Sequence, residues 1–268
     1  MGVIMNKQAK LYKAIRKIFT PYLYLRGKYE KYCFDNLTER QIAGTKDKII
    51  DLKNKHAGKR CFIIGAGPSL KIEDLDKLKN EFTFASNRIY RIFNKTKWRP
   101  TYYFCQDMTC LREDISEIRN LSFVKFIRPL GRRKYEDKEA LYFKIDAVNL
   151  KNNLPPCFSG DLSLCVYEGG AVTYSMIQAA CYLGFSEIYL LGIDCNYVVA
   201  NNKVANESYF DKSLYEGKTN GMIPDIQYNF MAYEAARVYC EKNGIIIKNA
   251  TRGGMLEVFE RENFDDIL

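Results

Sequence analysis

From residue 58 onward, short apolar runs alternate with segments of helical period. Seven runs read as strands: Cys61–Ile64, Phe82–Ser86, Thr101–Cys105, Phe123–Ile127, Leu141–Ile145, Glu187–Leu191 and Ile245–Lys248. Cys61 to Ile64 is apolar at every position, the mark of a strand buried on both faces. Helical stretches fall between the runs, notably Ile72–Leu78, Thr173–Leu183 and Gln227–Lys242, and Gly184 supplies the left-handed cap that ends the second. This alternation predicts an α/β fold with a doubly wound, mostly parallel, Rossmann-like sheet. A ligand of such a sheet lies beyond the C-terminal ends of the strands.

Residues 1–57 follow another pattern. Leu11, Ile15, Ile18, Phe19 and Tyr22 recur at helical spacing, with Lys7, Lys10, Lys13, Arg16 and Lys17 around them. Pro21 is expected to end or kink that helix, and a second helix is expected over Thr38–Lys55. The chain therefore divides into a basic helical arm, residues 1–57, and a nucleotide-binding domain, residues 58–268.

Charge sharpens this division. The net charge is +9, yet residues 1–60 carry 15 Lys and Arg against five Asp and Glu, and the remainder carries 26 against 27. A globular part without positive surplus disfavours nucleic acid as a partner. The arm reads in one of two ways: as a helix on an anionic membrane surface or a membrane-bound assembly partner, or as a helix packed on its own domain or on a second subunit in a homo-oligomer. Met1-Gly2 is a poor myristoylation signal, because Asn6 stands where Ser or Thr is required. Nine cysteines without a C-x-x-C pair, and no signal peptide, point to reduced thiols in the cytoplasm. A single histidine, His56, argues against a zinc site. No run reaches the ~20 apolar residues of a membrane span; the expected location is cytoplasmic, peripheral on the inner face of the membrane under the first reading of the arm.

Candidate chemistry lies in the loops after the strands. Gly65-Ala66-Gly67-Pro68-Ser69-Leu70 follows the first. Its glycines permit a sharp turn and close approach, Pro68 suits a helix start, and Ser69 adds a hydroxyl, so the loop reads as a phosphate cradle or as a plain tight turn. The dinucleotide fingerprint is incomplete, since its third glycine falls at Leu70. Asn87 and Arg88 follow the second strand, a polar amide and a planar cation for phosphate or carboxylate. Asp107 follows the third, placed for a metal, a sugar hydroxyl or a helix cap. Gly169, Gly170 and Thr173 form a second small-residue loop feeding a helix, with Thr173 as its N-cap or a phosphate contact. Asp194 leaves the strand end beside Gly192 and is the acidic residue best placed to face the crevice. Residues 196–225 read as a lid, or as a mobile insertion, with Tyr197, Tyr209 and Tyr215 suited to sugar stacking. Asn249, Thr251 and Arg252, with Gly253-Gly254, make a third candidate cradle.

Taken together, these motifs resemble one superfamily. The G-x-G-P-S-L loop, Asn87, Gly169-Gly170-x-Val172-Thr173, the unbroken run Tyr182 to Asp194 and the turn Asn249 to Gly254 occur in matching order over Lys59–Phe259. The pattern resembles bacterial sialyltransferases that use CMP-activated sialic acid. It also resembles the 6-hydroxymethylpterin pyrophosphokinase-like group, which includes flagellin-modifying motility accessory factors. The resemblance implies a nucleotide held across the Gly65–Ser69 and Gly169–Thr173 loops, with Asn87 at its ribose or base. The implied activity is glycosyl transfer from a nucleotide-activated sugar, CMP-linked or other, to a glycan or small-molecule acceptor in surface polysaccharide assembly. Those sialyltransferases place a histidine base in the lid, and residues 196–225 contain none. A perturbed carboxylate among Asp107, Asp194, Asp211, Glu216 or Asp225 would have to replace it. The alternative is ATP- and Mg²⁺-dependent diphosphate transfer, with Asp107 and Asp194 as catalytic metal ligands and Arg88 or Arg252 as a phosphate clamp. A further alternative is a non-catalytic scaffold that keeps the fold.

Overall fold

The apolar runs assemble as one parallel sheet because most of them are buried on both faces. The structure, a computed structural model, describes residues 2–219 and 223–268, with side chains from residue 24 onward. The central strands are β1 (Arg60–Ile64), β2 (Phe82–Ser86), β3 (Tyr102–Cys105), β4 (Val124–Ile127) and β5 (Leu141–Tyr142). Two two-residue strands, β6 (Ile145–Asp146) and β7 (Val166–Tyr167), pair apart from it. They are followed by β8 (Glu187–Leu191), the small hairpin β9 (Val199–Ala200) and β10 (Lys203–Val204), and β11 (Ile246–Asn249). The seven-stranded sheet has the order β11-β8-β1-β2-β3-β4-β5, with every pairing parallel. Successive residues of β1 point to opposite faces, so Cys61 and Ile63 join one buried cluster and Phe62 and Ile64 the other. The chain starts in the middle, builds to the β5 edge and then returns to place β8 on the other side of β1. The switch in strand order thus falls between β1 and β8, where a crevice is expected.

The helices are α1 (Gly2–Ile50), α2 (Ile72–Lys77), α3 (Met108–Arg119), α4 (Val148–Lys151), α5 (Val172–Tyr182), α6 (Ile226–Lys242) and α7 (Phe264–Ile267). Two expectations are corrected here. Pro21 does not end a helix: α1 runs through it as one element of 49 residues. The run Leu141–Ile145 is not one strand. Thr45 Oγ1 of α1 accepts from the Tyr142 N–H (2.9 Å) and donates to its carbonyl (3.1 Å), covering the sheet edge at β5, after which the chain leaves.

The arm also divides differently. Residues 24–36 are exposed throughout, whereas Gln41, Ile49, Leu52 and His56 are buried in the body. The turn after α1 is tied to the end of α5 through Asn54 N–H to Tyr182 O (3.1 Å) and His56 N–H to Leu183 O (2.8 Å). Residues 41–57, expected in the arm, are therefore part of the packed domain.

His56 lies between the Phe82 and Phe185 rings and shares a 2.6 Å hydrogen bond with the Tyr102 hydroxyl. Burial, with Lys55 nearby, lowers its pKa below the ordinary value. The folded protein thus holds His56 neutral where the unfolded chain takes up a proton, below about pH 6.5. Stability should fall more steeply from pH 6.5 to 5 in the wild type than in His56→Gln, measured by urea unfolding. Parallel pH profiles would show that His56 is not the cause.

Candidate active site

The first glycine loop is joined to the loop after β8. Gly65 N–H donates to Leu191 O and Gly67 N–H to Gly192 O, both at 2.8 Å. A Cβ on Gly65 would stand 2.2 Å from Gly192 O, and one on Gly67 2.0 Å from Asp194 Oδ2. These glycines therefore let two backbones meet, and the N–H groups expected to hold phosphate are spent. Ser69 donates its hydroxyl to Asp194 Oδ2 (2.8 Å), and its main-chain N–H also bonds that carboxylate. Burial raises the Asp194 pKa and the Ser69 bonds oppose the rise. Asp194 is thus a buried pin beneath the loop. Pro68 is exposed in a turn, and the helix expected there starts at Ile72, with Lys71 at its N-cap position and its N–H donating to Asp74 Oδ2 (3.1 Å).

The third cradle is likewise internal. Asn249 donates to Leu256 O (2.7 Å) and accepts from Thr251 N–H (3.0 Å), while Thr251 Oγ1 accepts from Ile193 N–H (3.1 Å). Arg252 grips both oxygens of Asp74, at 2.6 and 2.9 Å. Asn249, Thr251 and Arg252 thus brace loops within the protein.

Arg88 is no phosphate clamp. Its side chain is fully buried, with Nε on Asp114 (2.6 Å), one terminal nitrogen on Glu113 (2.7 Å) and the other on Thr219 O (2.8 Å). The guanidinium lies 5.0 Å from the Tyr215 ring centre, and Tyr215 stacks on Tyr209 at 4.2 Å. Tyr215 thus packs inward on Arg88 with Tyr209 behind it, Tyr197 is half-buried, and Phe210 N–H donates to Ala66 O (3.1 Å).

Asp107 is a helix cap. Its Oδ1 accepts from the N–H groups of Thr109 (2.7 Å) and Cys110 (3.3 Å) at the start of α3. It follows β3 while Asp194 follows β8, three strand spacings away, or roughly 14 Å. One Mg²⁺ needs oxygens near 2.1 Å, so the two do not form the expected metal pair. Among the described residues, no group of three or more His, Cys, Asp or Glu could hold a metal.

What remains open lies over β2, β3 and β4. Asn87 has φ +51°, the left-handed region, and its side-chain Oδ1 is buried without a hydrogen-bond partner among the described residues. Strained backbone and an unpaired buried acceptor mark a place where a ligand completes the bonding. On the next strand, Gln106 Oε1 accepts from Ser175 Oγ of α5 (2.7 Å), fixing the start of that helix above β3. No side chain caps α5. Its N-cap is Ala171, and Thr173, expected there, is the second helical residue. The first-turn N–H groups thus keep their partial positive charge. Gly170 has φ +80°, and Cβ atoms on Gly169 and Gly170 would meet the Tyr174 ring and Asn229 Oδ1 at 2.3 and 2.2 Å.

Two groups here, Glu168 and Arg128, escaped the sequence reading. Glu168 precedes the glycine turn, accepts from Gln106 Nε2 (3.3 Å) and bonds the Gly170 N–H. Burial raises its pKa, with Arg128 and the Gly170 bond opposing. No hydrogen bond from the Arg128 guanidinium is seen among the described residues. Tyr228, 7% exposed, has a hydroxyl with no partner among those residues. The only trace of Glu168 in the sequence is a carboxylate directly before a double glycine.

A parallel sheet that switches order beside β1, with helices packed on it, defines a Rossmann-like α/β protein. The chain belongs to the 6-hydroxymethylpterin diphosphokinase MptE-like family, whose model matches residues 34–199, more than half its length. The fold is shared with the MAf glycosyltransferase from Magnetospirillum magneticum AMB-1, at TM-score 0.53 and 16% identity over 85% of this chain. This chain spans 39% of that protein's length. The sialyltransferase CstII from Campylobacter jejuni, solved with a CMP-sugar analogue, is similar at TM-score 0.40 and 17% identity, covering 76% of this chain and 85% of its own. No curated protein matches the sequence.

Proposed function

We propose that this protein is a transferase that takes a nucleotide-activated sugar and passes the sugar to a glycan or small-molecule acceptor in surface polysaccharide assembly. The observation that carries the reading is the uncapped start of α5, tied by Ser175 and Gln106 to β3, beside the unpaired Asn87 amide after β2. The donor's phosphate would meet the N–H groups of residues 171–173, with Thr173 near, and the Arg128 cation. Asn87 would contact the ribose or base. Gly65, Gly67, Ser69 and Asp194 shape the adjoining wall.

The family's own description favours a second reading, diphosphate transfer from ATP. Asp107 and Asp194 do not fit a shared Mg²⁺, so no step is assigned to one. The arm supports placement at the cytoplasmic face of a membrane or on a membrane-bound partner: seven Lys and Arg precede Glu30, its first acidic residue. No helix among the described residues is long and apolar enough to cross a membrane.

A thermal-shift screen of CMP, UDP, GDP and ATP, as sugar conjugates where they exist, with and without Mg²⁺, tests these readings. A ligand at 100 times its Kd stabilises the fold by about 2.7 kcal/mol, worth several degrees. A response to a nucleotide sugar without Mg²⁺ is the expected result. A response to ATP with Mg²⁺ alone would replace the first reading with the second.

A further inference from the structure

We infer that Glu168 is the general base that activates the acceptor hydroxyl. The inference rests on the glycosyl-transfer reading above and names the residue that does the work of the missing lid histidine. His56 is locked in its aromatic sandwich on Tyr102. Asp107 caps α3, Asp225 caps α6, and Asp194 is held by Ser69. Asp211 is paired with Lys95 and Ser213, and Asp114 with Arg88 and Lys218. Glu216 is exposed in the lid.

Glu168 differs from all of these. It sits at the mouth of the α5 turn, and Gln106 positions it from β3: Ser175 Oγ orients the Gln106 carbonyl, so that Nε2 points to the carboxylate. A bond from Gly170 N–H fixes it from the other side. The charged and titratable groups facing it are Arg128, after β4, and Tyr228, on α6. Tyr228 supplies an independent sign of a ligand, a buried hydroxyl without a partner among the described residues. An acceptor hydroxyl bonded to both Glu168 and Tyr228 would satisfy it. Burial also moves the carboxyl toward neutrality, which suits a base working near pH 7.

The acceptor O–H gives its proton to the Glu168 carboxylate as its oxygen bonds the anomeric carbon. The bond from that carbon to the donor's phosphate oxygen breaks, and its electron pair leaves on the nucleotide. The developing phosphate charge faces Arg128 and the α5 N–H groups.

The test uses the full chain and three probes: CMP-N-acetylneuraminate, UDP-N-acetylglucosamine and GDP-mannose. Nucleotide release, with water or an added sugar as acceptor, is measured against pH for wild type, Glu168→Gln and Glu168→Asp, and nucleotide binding is titrated in parallel. The Gln variant should lose about 10²- to 10⁴-fold in kcat, lose the acid limb of the pH profile and keep the nucleotide Kd within about twofold. The Asp variant should retain the limb with a lower kcat. A Gln variant within threefold of wild type, or with its acid limb intact, overturns the assignment and leaves the nucleotide reading standing. Nucleotide binding without turnover of any probe also overturns it. Absence of any nucleotide binding by wild type overturns the glycosyl-transfer reading itself.

Discussion

Arg88→Met should lower the unfolding free energy by about 3–5 kcal/mol, the usual cost of stranding one partner of a buried ion pair. The Arg88 and Asp114 side chains are both fully buried, and the substitution leaves Asp114 with Lys218, itself about a quarter exposed. Burial alone would lower the Arg88 pKa, but Asp114 more than reverses this, so the charge stays. In a chain of this size, the loss corresponds to a fall in melting temperature of about 10 °C. The same substitution removes the donor on Thr219 O and the cation against Tyr215, so residues 209–219 should become sensitive to protease. Lys218→Met should cost far less, about 1 kcal/mol, because Lys218 is partly exposed and Arg88 still pairs with Asp114. Urea unfolding of both variants decides the matter, and a loss below about 1 kcal/mol for Arg88→Met would refute the buried network as the anchor of residues 209–219.

The glycine loop yields the second large effect. Gly65→Ala places a methyl 2.2 Å from a main-chain carbonyl, which has nowhere to go, and should cost about 3 kcal/mol. Gly67→Ala meets the Asp194 carboxylate first and the Gly192 carbonyl second, at 2.0 and 2.8 Å. Its cost, about 1–3 kcal/mol, should shrink by about 1 kcal/mol when Asp194→Ala is already present. The Gly65 penalty should not change in that background. Purely additive values at position 67 would show that the loop does not rest on Asp194.

The sheet was legible because its strands are apolar on both faces, a pattern that needs no knowledge of partners. β1, β2, β8 and α5 fall within a residue or so of their expected bounds. The functional roles of loop residues were harder. Arg252 and Asp74 stand 178 residues apart, and Thr251 and Ile193 58 apart. Nothing local tells a polar loop residue that serves a ligand from one that braces a distant loop. Asn87 and the Gly169–Thr173 turn kept free polar groups, while Asn249, Thr251, Arg88 and Arg252 were satisfied by the protein. His56 was missed as a core residue because the boundary of the arm was set by charge, and α1 enters the body before its charge pattern changes.

The central claim is that a nucleotide lies between the Asn87 amide and the start of α5. Equilibrium titration of CMP, UMP, GMP and AMP into wild type, Asn87→Ala and Arg128→Met tests it most directly. One of the four should bind in a 1:1 ratio, and each substitution should weaken it by about tenfold or more, a loss of about 1.4 kcal/mol. No binding by wild type, or binding that neither substitution alters, would contradict the account.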